Sequence, residues 1–273
     1  MKYKFSVIIA VNSTCRFLSE AIESVIAQSI GFQNIQLILV AACSHEGVGA
    51  VCDEYAAAYP ENILLRRINT KDQNSARNLG LDHAKGMYVN FLEADDLLSA
   101  DTLQQVWDFY EAHPNETDLV SVPIRFFEGL TGEQTLNTKF AQGSRVIDLE
   151  QEWQVTQIAM SSAFVPLVCL KELRFAECLG NAAEAYLAQR LLAQRLRIGV
   201  AAQAEYRYRK VADGSRSAIF MKAKNSIRYL SYVQECPEKL ISFCLERYGC
   251  VPRSVQYGLL HHMQWRWSER NYP

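Results

Sequence analysis

The sequence predicts an α/β fold in which a mostly parallel β-sheet is flanked by helices and followed by a helical C-terminal extension. Between residues 4 and 112, short apolar runs rich in Val and Ile alternate with segments whose apolar residues recur every three or four positions. Strands and helices alternating at this spacing imply right-handed crossovers, parallel strands and helices on both faces of the sheet. From Met221 onward the pattern is helical.

Each element of the first half has its own signal. Strands are predicted over residues 4–11, 36–41, 63–68 and 87–92. The first three helices are predicted from apolar faces formed by Leu18, Ile22, Val25 and Ser29, by Val48, Val51, Cys52, Tyr55 and Tyr59, and by Ala76, Leu79 and His83. Asn12-Ser13-Thr14 can cap the first helix, and Gly86 is placed to end the third as a left-handed C-cap. A fourth helix is expected from Asp101 to Ala112.

The second half is less regular. Asp118 to Phe127 is predicted to be a further strand, and Gly129 to Gly143 a polar loop or hairpin. A long helix is expected from Glu184 to Leu196, with leucines on its apolar side.

Composition excludes several classes of protein. The 273 residues carry a formal net charge of -2, so the basic stripe expected of a nucleic-acid-binding protein is missing. The longest apolar run, residues 37–43, is far shorter than the roughly 20 residues of a membrane span. The eight cysteines show neither CxxC pairs nor zinc spacing, which favours reduced thiols. We therefore expect a soluble, cytoplasmic protein, in peripheral contact at most with the inner face of a membrane.

Three polar segments follow predicted strands: Asn12-Ser13-Thr14, Ala42-Cys43-Ser44-His45 and Glu93-Ala94-Asp95-Asp96. Ligands of open α/β sheets bind beyond the carboxyl ends of the strands. A binding site is therefore expected where these three segments meet.

The segments also resemble, in order and spacing, those of family 2 glycosyltransferases. The similar stretches are Phe5 to Val11, Phe17-Leu18, Ser24-Val25, Ala27-Gln28-Ser29, Ser75 to Leu81, Ala84-Lys85-Gly86, Tyr88, Phe91 to Asp96, Leu173-Arg174-Phe175, Tyr206 to Arg209 and Ser215. The resemblance covers roughly residues 4–217 and is strongest in the first hundred. Val255-Gln256-Tyr257 and Gln264-Trp265-Arg266 resemble a stretch of larger multidomain members, so further domains of a longer chain are expected.

This resemblance implies a GT-A (Rossmann-like) domain over residues 1–217. Residues 1–115 would form its nucleotide-sugar-binding half and residues 116–217 its acceptor half, with residues 218–273 as the helical extension. The implied activity is inverting, metal-dependent transfer of a sugar from a nucleotide-sugar donor to a saccharide or lipid-linked acceptor in surface polysaccharide synthesis.

The acidic stretch from Glu93 to Asp96 stands where the family has its metal motif. A divalent cation, Mn²⁺ or Mg²⁺, stabilises the charge that develops on a diphosphate leaving group, and Mg²⁺ typically uses one or two carboxylates plus substrate phosphates. Asp95 and Asp96 are the predicted metal ligands, and Glu93, which replaces an Asp, is a donor-binding candidate. The alternative is that these acids cap a helix that begins near Ser99 or Asp101.

Two further residues are candidates for the reaction. Arg77, expected at the start of a helix, could contact the donor phosphates, or it could form a surface salt bridge. Glu184 is the candidate general base because the family's usual Glu-Asp pair corresponds to Ala183-Glu184 in the resemblance. The alternative for Glu184 is an ordinary acid in the first turn of a helix.

The predicted donor pocket departs from the family pattern. The family's usual Pro-Val-Tyr-Asn becomes Ala10-Val11-Asn12-Ser13, and two aspartates before Gly-Ser become Ala41-Ala42 before Cys43-Ser44. In the family that this chain resembles, the aromatic ring and the acid recognise uracil. Their replacement implies weaker uracil binding, since one buried hydrogen bond is worth roughly 1 to 3 kcal/mol. The predicted donor-binding positions are Ala10, Asn12, Ala42, Ser44, Arg77, Glu93 and Asp95.

These departures leave two main alternatives. The chain is an enzyme with a rebuilt nucleobase pocket, or it is a catalytically degenerate GT-A domain that acts as a binding module. A third alternative, a nucleotidyltransferase with a related sheet, is disfavoured because no Gly-rich loop with Lys or Arg follows the first strand.

Overall fold

The computed structural model describes residues 2–11, 16–42, 46–70, 72–180, 182–210 and 234–268. The strands are β1 (Tyr3–Val11), β2 (Ile35–Ala42), β3 (Ile63–Ile68), β4 (Gly86–Phe91), β5 (Leu97–Leu98), β6 (Val120–Ser121), β7 (Ile124–Glu128), β8 (Gly132–Glu133), β9 (Arg145–Asp148), β10 (Ala163–Pro166), β11 (Arg197–Val200) and β12 (Tyr206–Lys210). The helices are α1 (Leu18–Ile26), α2 (Glu46–Ala58), α3 (Gln73–Asp82), α4 (Thr102–Ala112), α5 (Ala182–Arg195), α6 (Lys239–Tyr248) and α7 (Arg253–Ser268).

Two sheets organise these strands. Eight form a sheet in the order β3-β2-β1-β4-β10-β6-β11-β9, and four form a smaller sheet in the order β5-β12-β7-β8. The first four strands of the large sheet are parallel, whereas β10 is antiparallel to both of its neighbours. The predicted α/β class and mostly parallel sheet are confirmed.

The central strand β1 explains why the sheet is covered on both faces. Its side chains alternate, so that Phe5, Val7 and Ile9 join one apolar layer and Ile8 and Ala10 join the other. All five are at most 6% exposed. Each fully buried large apolar side chain contributes about 1.5–3 kcal/mol, so a continuous apolar strand of this kind is stable only between two layers of helices.

Two details of the first half differ from prediction. Helix α1 ends at Ile26, so Ser29 lies beyond it and is exposed. Gly86 is no left-handed C-cap: α3 ends at Asp82 with His83 as its cap residue, and Gly86 begins β4. A Cβ atom at Gly86 would clash with the backbone of Phe5 and Ser6. Glycine is needed there because two strands approach closely, which is the other common use of the residue.

The predicted strand from Asp118 to Phe127 is divided between the two sheets. β6 joins the large sheet and β7 the small one, with Val122-Pro123 between them. Pro123 has no N–H to donate, but its carbonyl accepts a hydrogen bond from the Tyr206 N–H at 2.9 Å. The prediction of one continuous strand was wrong because the chain changes sheets at this proline. Of the two alternatives for Gly129 to Gly143, a loop or a hairpin, the segment begins as a hairpin, because β8 pairs antiparallel with β7, and a 3-10 turn from Thr135 to Phe140 follows.

The C-terminal extension is helical over α6 and α7, as predicted. Helix α7 packs closely on α5, because a Cβ atom at Gly258 would clash with the Gln189 side chain. The start of the predicted extension, up to residue 233, lies outside the described residues, as do the side chains of Trp265 and Trp267. Among the helices described, none combines the length and the apolar character needed to cross a bilayer.

Candidate functional site

The candidate site lies at the carboxyl edge of the parallel strands. β1 and β2 end there at Val11 and Ala42, and the acidic stretch follows β4. Ala10 is 6% exposed within an apolar layer. Asn12 and Ser44, and their neighbours Cys43 and His45, lie outside the described residues, and only the backbone of Ala42 is described. The donor-binding assignments of Ala10, Asn12, Ala42 and Ser44 therefore stay predictions.

Asp96 is engaged on both carboxylate oxygens. Its Oδ2 accepts a hydrogen bond from the Tyr206 hydroxyl at 2.7 Å, and its Oδ1 accepts one from the Arg209 N–H at 2.8 Å. The residue is 0% exposed. Burial raises the pKa of Tyr206 well above its usual value, and the charge of Asp96 adds to that effect. Asp96 thereby joins the acidic stretch to β12.

Arg209 strengthens the same connection. Its Nε donates to the Asp95 carbonyl at 2.8 Å, and its guanidinium pairs with Glu20 and Glu128. The guanidinium carbon lies 3.9 Å from the Phe17 ring centroid and 4.6 Å from that of Phe127. Such cation–π contacts contribute about 2 kcal/mol or more when the cation is desolvated. Arg209 therefore connects the backbone of the acidic stretch to residues in α1 and in β7.

The helix-capping alternative for the acids does not match the geometry. Helix α4 begins at Thr102, and its cap position belongs to Asp101, which makes no side-chain capping bond. Asp96 is directed to β12 instead, and the short strand β5 separates it from the helix. Asp95 is half-buried at the same edge of the sheet.

Arg77 forms a buried bridge between two carboxylates. Its Nη2 donates to Glu93 Oε1 at 2.5 Å and to Glu184 Oε1 at 2.9 Å, while its Nη1 donates to Asn74 Oδ1 at 3.1 Å. The residue is 5% exposed and lies inside α3 rather than at its start. The surface-salt-bridge alternative is therefore wrong, because Arg77 is buried and pairs with internal carboxylates. Contact between Arg77 and donor phosphates stays a prediction.

The charges of this bridge reinforce one another. Burial alone would lower the pKa of Arg77, but the carboxylates of Glu184 and Glu93 outweigh burial and raise it. Glu93 is held from its other side, since its Oε2 accepts from Gln73 Nε2 at 2.7 Å. Glu93 has one methylene more than an aspartate, and this extra length helps its carboxylate to reach Arg77.

Glu184 lies in the first turn of α5, as the sequence predicts, but it is more than a helix-terminal acid. Its Oε2 accepts a hydrogen bond from the Met160 N–H at 2.9 Å, and its Oε1 faces Arg77. Its side chain remains 22% exposed. The structure thus brings Arg77, Glu93 and Glu184 together at one edge of the sheet.

Sequence reasoning missed the roles of Tyr206, Arg209 and Met160. Tyr206 and Arg209 are in the Tyr-Arg-Tyr-Arg stretch that carried part of the resemblance, so a signal existed but gave no partner for either residue. Within the described ranges, no group of three or more His, Cys, Asp or Glu side chains is arranged to hold a metal ion.

Comparison with known proteins finds a matching family model and related sequences. The sequence model described as "Glycosyl transferase family 2" matches residues 6–165. Two relatives from Bacillus subtilis (strain 168) are the "Minor teichoic acid biosynthesis protein GgaB", 38% identical over 97% of this chain, and GgaA, 28% identical over 95%. This chain spans 29% of the length of GgaB and 59% of that of GgaA.

Solved structures share the fold at low sequence identity. Residues 1–349 of S. aureus TarS, solved in complex with UDP-GlcNAc, match 99% of this chain and 94% of that one with a TM-score of 0.67 and 15% identity. The mannosyltransferase PcManGT of Pyrobaculum calidifontis, solved with GDP-Man and Mn²⁺, matches 96% of this chain and 70% of that one with a TM-score of 0.65 and 14% identity. The predicted GT-A fold is confirmed.

Proposed function

Because this chain belongs to glycosyl transferase family 2, we propose that it transfers a sugar from a nucleotide-sugar donor to a saccharide or lipid-linked acceptor in surface glycan synthesis. The observation that carries the proposal is the position of Glu184, held by the Met160 N–H and by Arg77 beside the acidic stretch. The names of the teichoic acid relatives and the UDP-GlcNAc and GDP-Man complexes of the structural neighbours support it.

The proposed chemistry is an inverting displacement. Glu184 accepts the proton of an acceptor hydroxyl while that oxygen forms a bond to the anomeric carbon. The bond from the anomeric carbon to the phosphate oxygen breaks at the same time, and the nucleoside diphosphate leaves with the electron pair. Since Met160 and Arg77 orient one oxygen each, Glu184 needs little reorganisation to act as the base.

Asp95 is the side chain that best fits a divalent metal. Mg²⁺ and similar cations are held in such sites by one or two carboxylates together with substrate phosphates, so a full set of protein ligands is not required. Bound there, Mn²⁺ or Mg²⁺ would stabilise the charge of the leaving diphosphate. Asp96 was also predicted as a ligand, but we assign it to anchoring the loop, because it is 0% exposed and its oxygens accept hydrogen bonds from Tyr206 and Arg209.

Other parts of the proposal concern the whole protein. The division into residues 1–115, 116–217 and 218–273, further domains of a longer chain and peripheral contact with the inner face of a membrane all stay predictions. The relatives' greater length supports the expectation of further domains.

A second candidate function is a degenerate domain that binds without catalysis. One observation favours it: Arg77, the cation expected to meet the donor phosphates, is committed to Glu93 and Glu184. In that case the three residues would form a structural ion cluster at a site that no longer accepts a donor.

Thermal melting with nucleoside diphosphates and nucleotide sugars separates the two functions. An enzyme should show a Mn²⁺-dependent rise in melting temperature, because a ligand at 100 times its dissociation constant stabilises the native state by about 2.7 kcal/mol. Asp95→Ala should lose this rise. Asp101→Ala is the matched control, since Asp101 is an exposed acid that makes no side-chain capping bond. If no nucleotide shifts the melting of the folded native chain, the donor-dependent function is refuted.

A further inference from the structure

A cavity lies between helix α7 and the segments 135–139 and 154–156. Its volume is about 200 Å³. One wall is the 3-10 turn from Thr135 to Phe140, a second is the segment 154–156, and the third is α7. Pockets for drug-sized ligands are typically about 300 to 1,000 Å³. A cavity of this size therefore suits one small polar unit rather than a whole nucleotide.

Lys139 gives this cavity a buried positive charge. The residue lines the cavity and is 8% exposed. Its Nζ donates to the Thr156 carbonyl at 3.0 Å and to Gln157 Oε1 at 2.6 Å, both neutral acceptors. An ammonium has three N–H donors, and no salt bridge to a carboxylate is found for Lys139 among the residues the structure describes. Burial lowers the pKa of this lysine to about 7.

An anionic ligand would neutralise the buried charge of Lys139. A buried cation without a counter-ion costs several kcal/mol unless it loses its proton or acquires a partner. An anionic group that entered the cavity would supply the charge that none of the residues in the described ranges provides.

Aromatic and hydroxyl groups complete the lining. Tyr257 and His261 of α7 border the cavity with ring centroids 5.8 Å apart, and Trp153 contacts Tyr257 edge-on at 5.9 Å. Thr135 and Thr138 line the opposite wall. Aromatic rings that present an apolar face beside hydrogen-bonding groups suit a ligand with alternating C–H and O–H groups, which is the chemistry of sugars and polyols.

The cavity is physically tied to the candidate base. Gln189 of α5, the helix that carries Glu184, donates from its Nε2 to Thr156 Oγ1 at 2.8 Å and to the Gln157 carbonyl at 3.0 Å. Thr156 is four residues before Met160, whose N–H holds Glu184. Four residues span at most roughly 14 Å. Thr156, which lines the cavity, therefore lies within roughly 14 Å of Met160.

We propose that this cavity is an acceptor-binding site for an anionic sugar or polyol unit adjacent to the unit that is glycosylated. Lys139 binds the anionic group, and Tyr257 and His261 contact the carbon skeleton. The inference rests on the proposed function for its biological meaning, but binding to the cavity can be measured without any sugar transfer.

Binding of glycerol 3-phosphate near pH 6.5 is the test, with glycerol and inorganic phosphate as reference probes. We expect Lys139→Met, which keeps the side-chain volume and removes the charge, to weaken binding at least tenfold. Lys171→Met, at an exposed lysine, is the matched control and should bind as the native chain does. Tyr257→Ala should weaken glycerol 3-phosphate more than inorganic phosphate, which keeps the test informative if Lys139→Met is poorly folded.

The outcomes separate this proposal from the proposed function. Equal binding of glycerol 3-phosphate by the native chain and a folded Lys139→Met variant would overturn the cavity assignment, whatever the nucleotide result. Equal affinity for inorganic phosphate and glycerol 3-phosphate would overturn the sugar or polyol part. If the chain binds glycerol 3-phosphate in a Lys139-dependent way but binds no nucleotide, the cavity assignment is supported and the donor-dependent function is refuted.

Discussion

Replacement of Arg77 by Met distinguishes an internal bridge from a contact with donor phosphates. The substitution keeps an unbranched apolar stem but removes the guanidinium that touches Glu93, Glu184 and Asn74. If the guanidinium serves the fold, the ligand-free protein becomes less stable. If it serves the donor, stability is unchanged and only nucleotide binding falls.

The expected loss follows from the geometry. Arg77 is 5% exposed and pairs with both carboxylates, and removing one partner of a buried ion pair costs about 3 to 5 kcal/mol. Because the Glu93 and Glu184 side chains are 25% and 22% exposed, water screens part of the uncompensated charge, and we expect a loss of about 2 to 4 kcal/mol. Adding Glu93→Gln removes half of that charge and should recover about 1 kcal/mol or more.

Urea denaturation near neutral pH, without nucleotide or metal, measures these differences. Arg67→Met is the matched control, because Arg67 pairs with Asp53 at the surface with side chains 48% and 57% exposed. Such pairs contribute about 1 kcal/mol or less. An Arg77→Met variant as stable as Arg67→Met, combined with a large loss of nucleotide affinity, would refute the bridge and restore the phosphate-contact hypothesis.

Two further predictions concern Lys139 and Asp96. Since the folded pKa of Lys139 is about 7 against an ordinary 10.5, the unfolded chain binds the extra proton between these values, and the free energy of unfolding should rise with pH there. Between pH 7 and 9 the rise should be about 2 to 3 kcal/mol; urea denaturation should show it in the native chain and not in Lys139→Met, and equal pH slopes would contradict it. Asp96→Asn should lower stability by about 1 to 3 kcal/mol yet keep Mn²⁺-dependent nucleotide binding in melting experiments. Loss of that binding at native stability would make Asp96 a metal ligand.

The first half of the fold could be predicted because each of its strands and helices has a signal within its own short stretch of sequence. Buried parallel strands are continuous apolar runs, and the helices between them carry periodic apolar faces, so β1 to β4 were located within one or two residues. The division at Pro123 was not predictable in the same way, because residues 118–127 are a compatible strand sequence whichever sheet they join. Gly86 was misassigned because a glycine after a helix fits a C-cap and a close strand approach equally well.

The candidate site was predicted as a set of residue types but not as a set of contacts. The carboxylates at 93, 95, 96 and 184 were identified, but the partners that decide their roles are distant in sequence. Arg77 and Glu184 are 107 positions apart, and Asp96 and Arg209 are 113 apart. Burial and pairing at such separations depend on the packed structure, so the sequence placed Arg77 at a helix start and did not reveal the partners of Asp96.

The attachment of the acidic stretch to β12 has a consequence for biosynthesis. Tyr206 and Arg209 are synthesised more than a hundred residues after Asp96, whose carboxylate they bind. Arg209 is synthesised 189 residues after its other partner, Glu20. At about 5 to 20 residues per second, the stretch spends roughly 6 to 23 s on the ribosome without its anchors. The nascent N-terminal half therefore lacks these anchors for its acidic stretch until β12 has emerged, so the acidic stretch reaches its final position only after β12 has been synthesised.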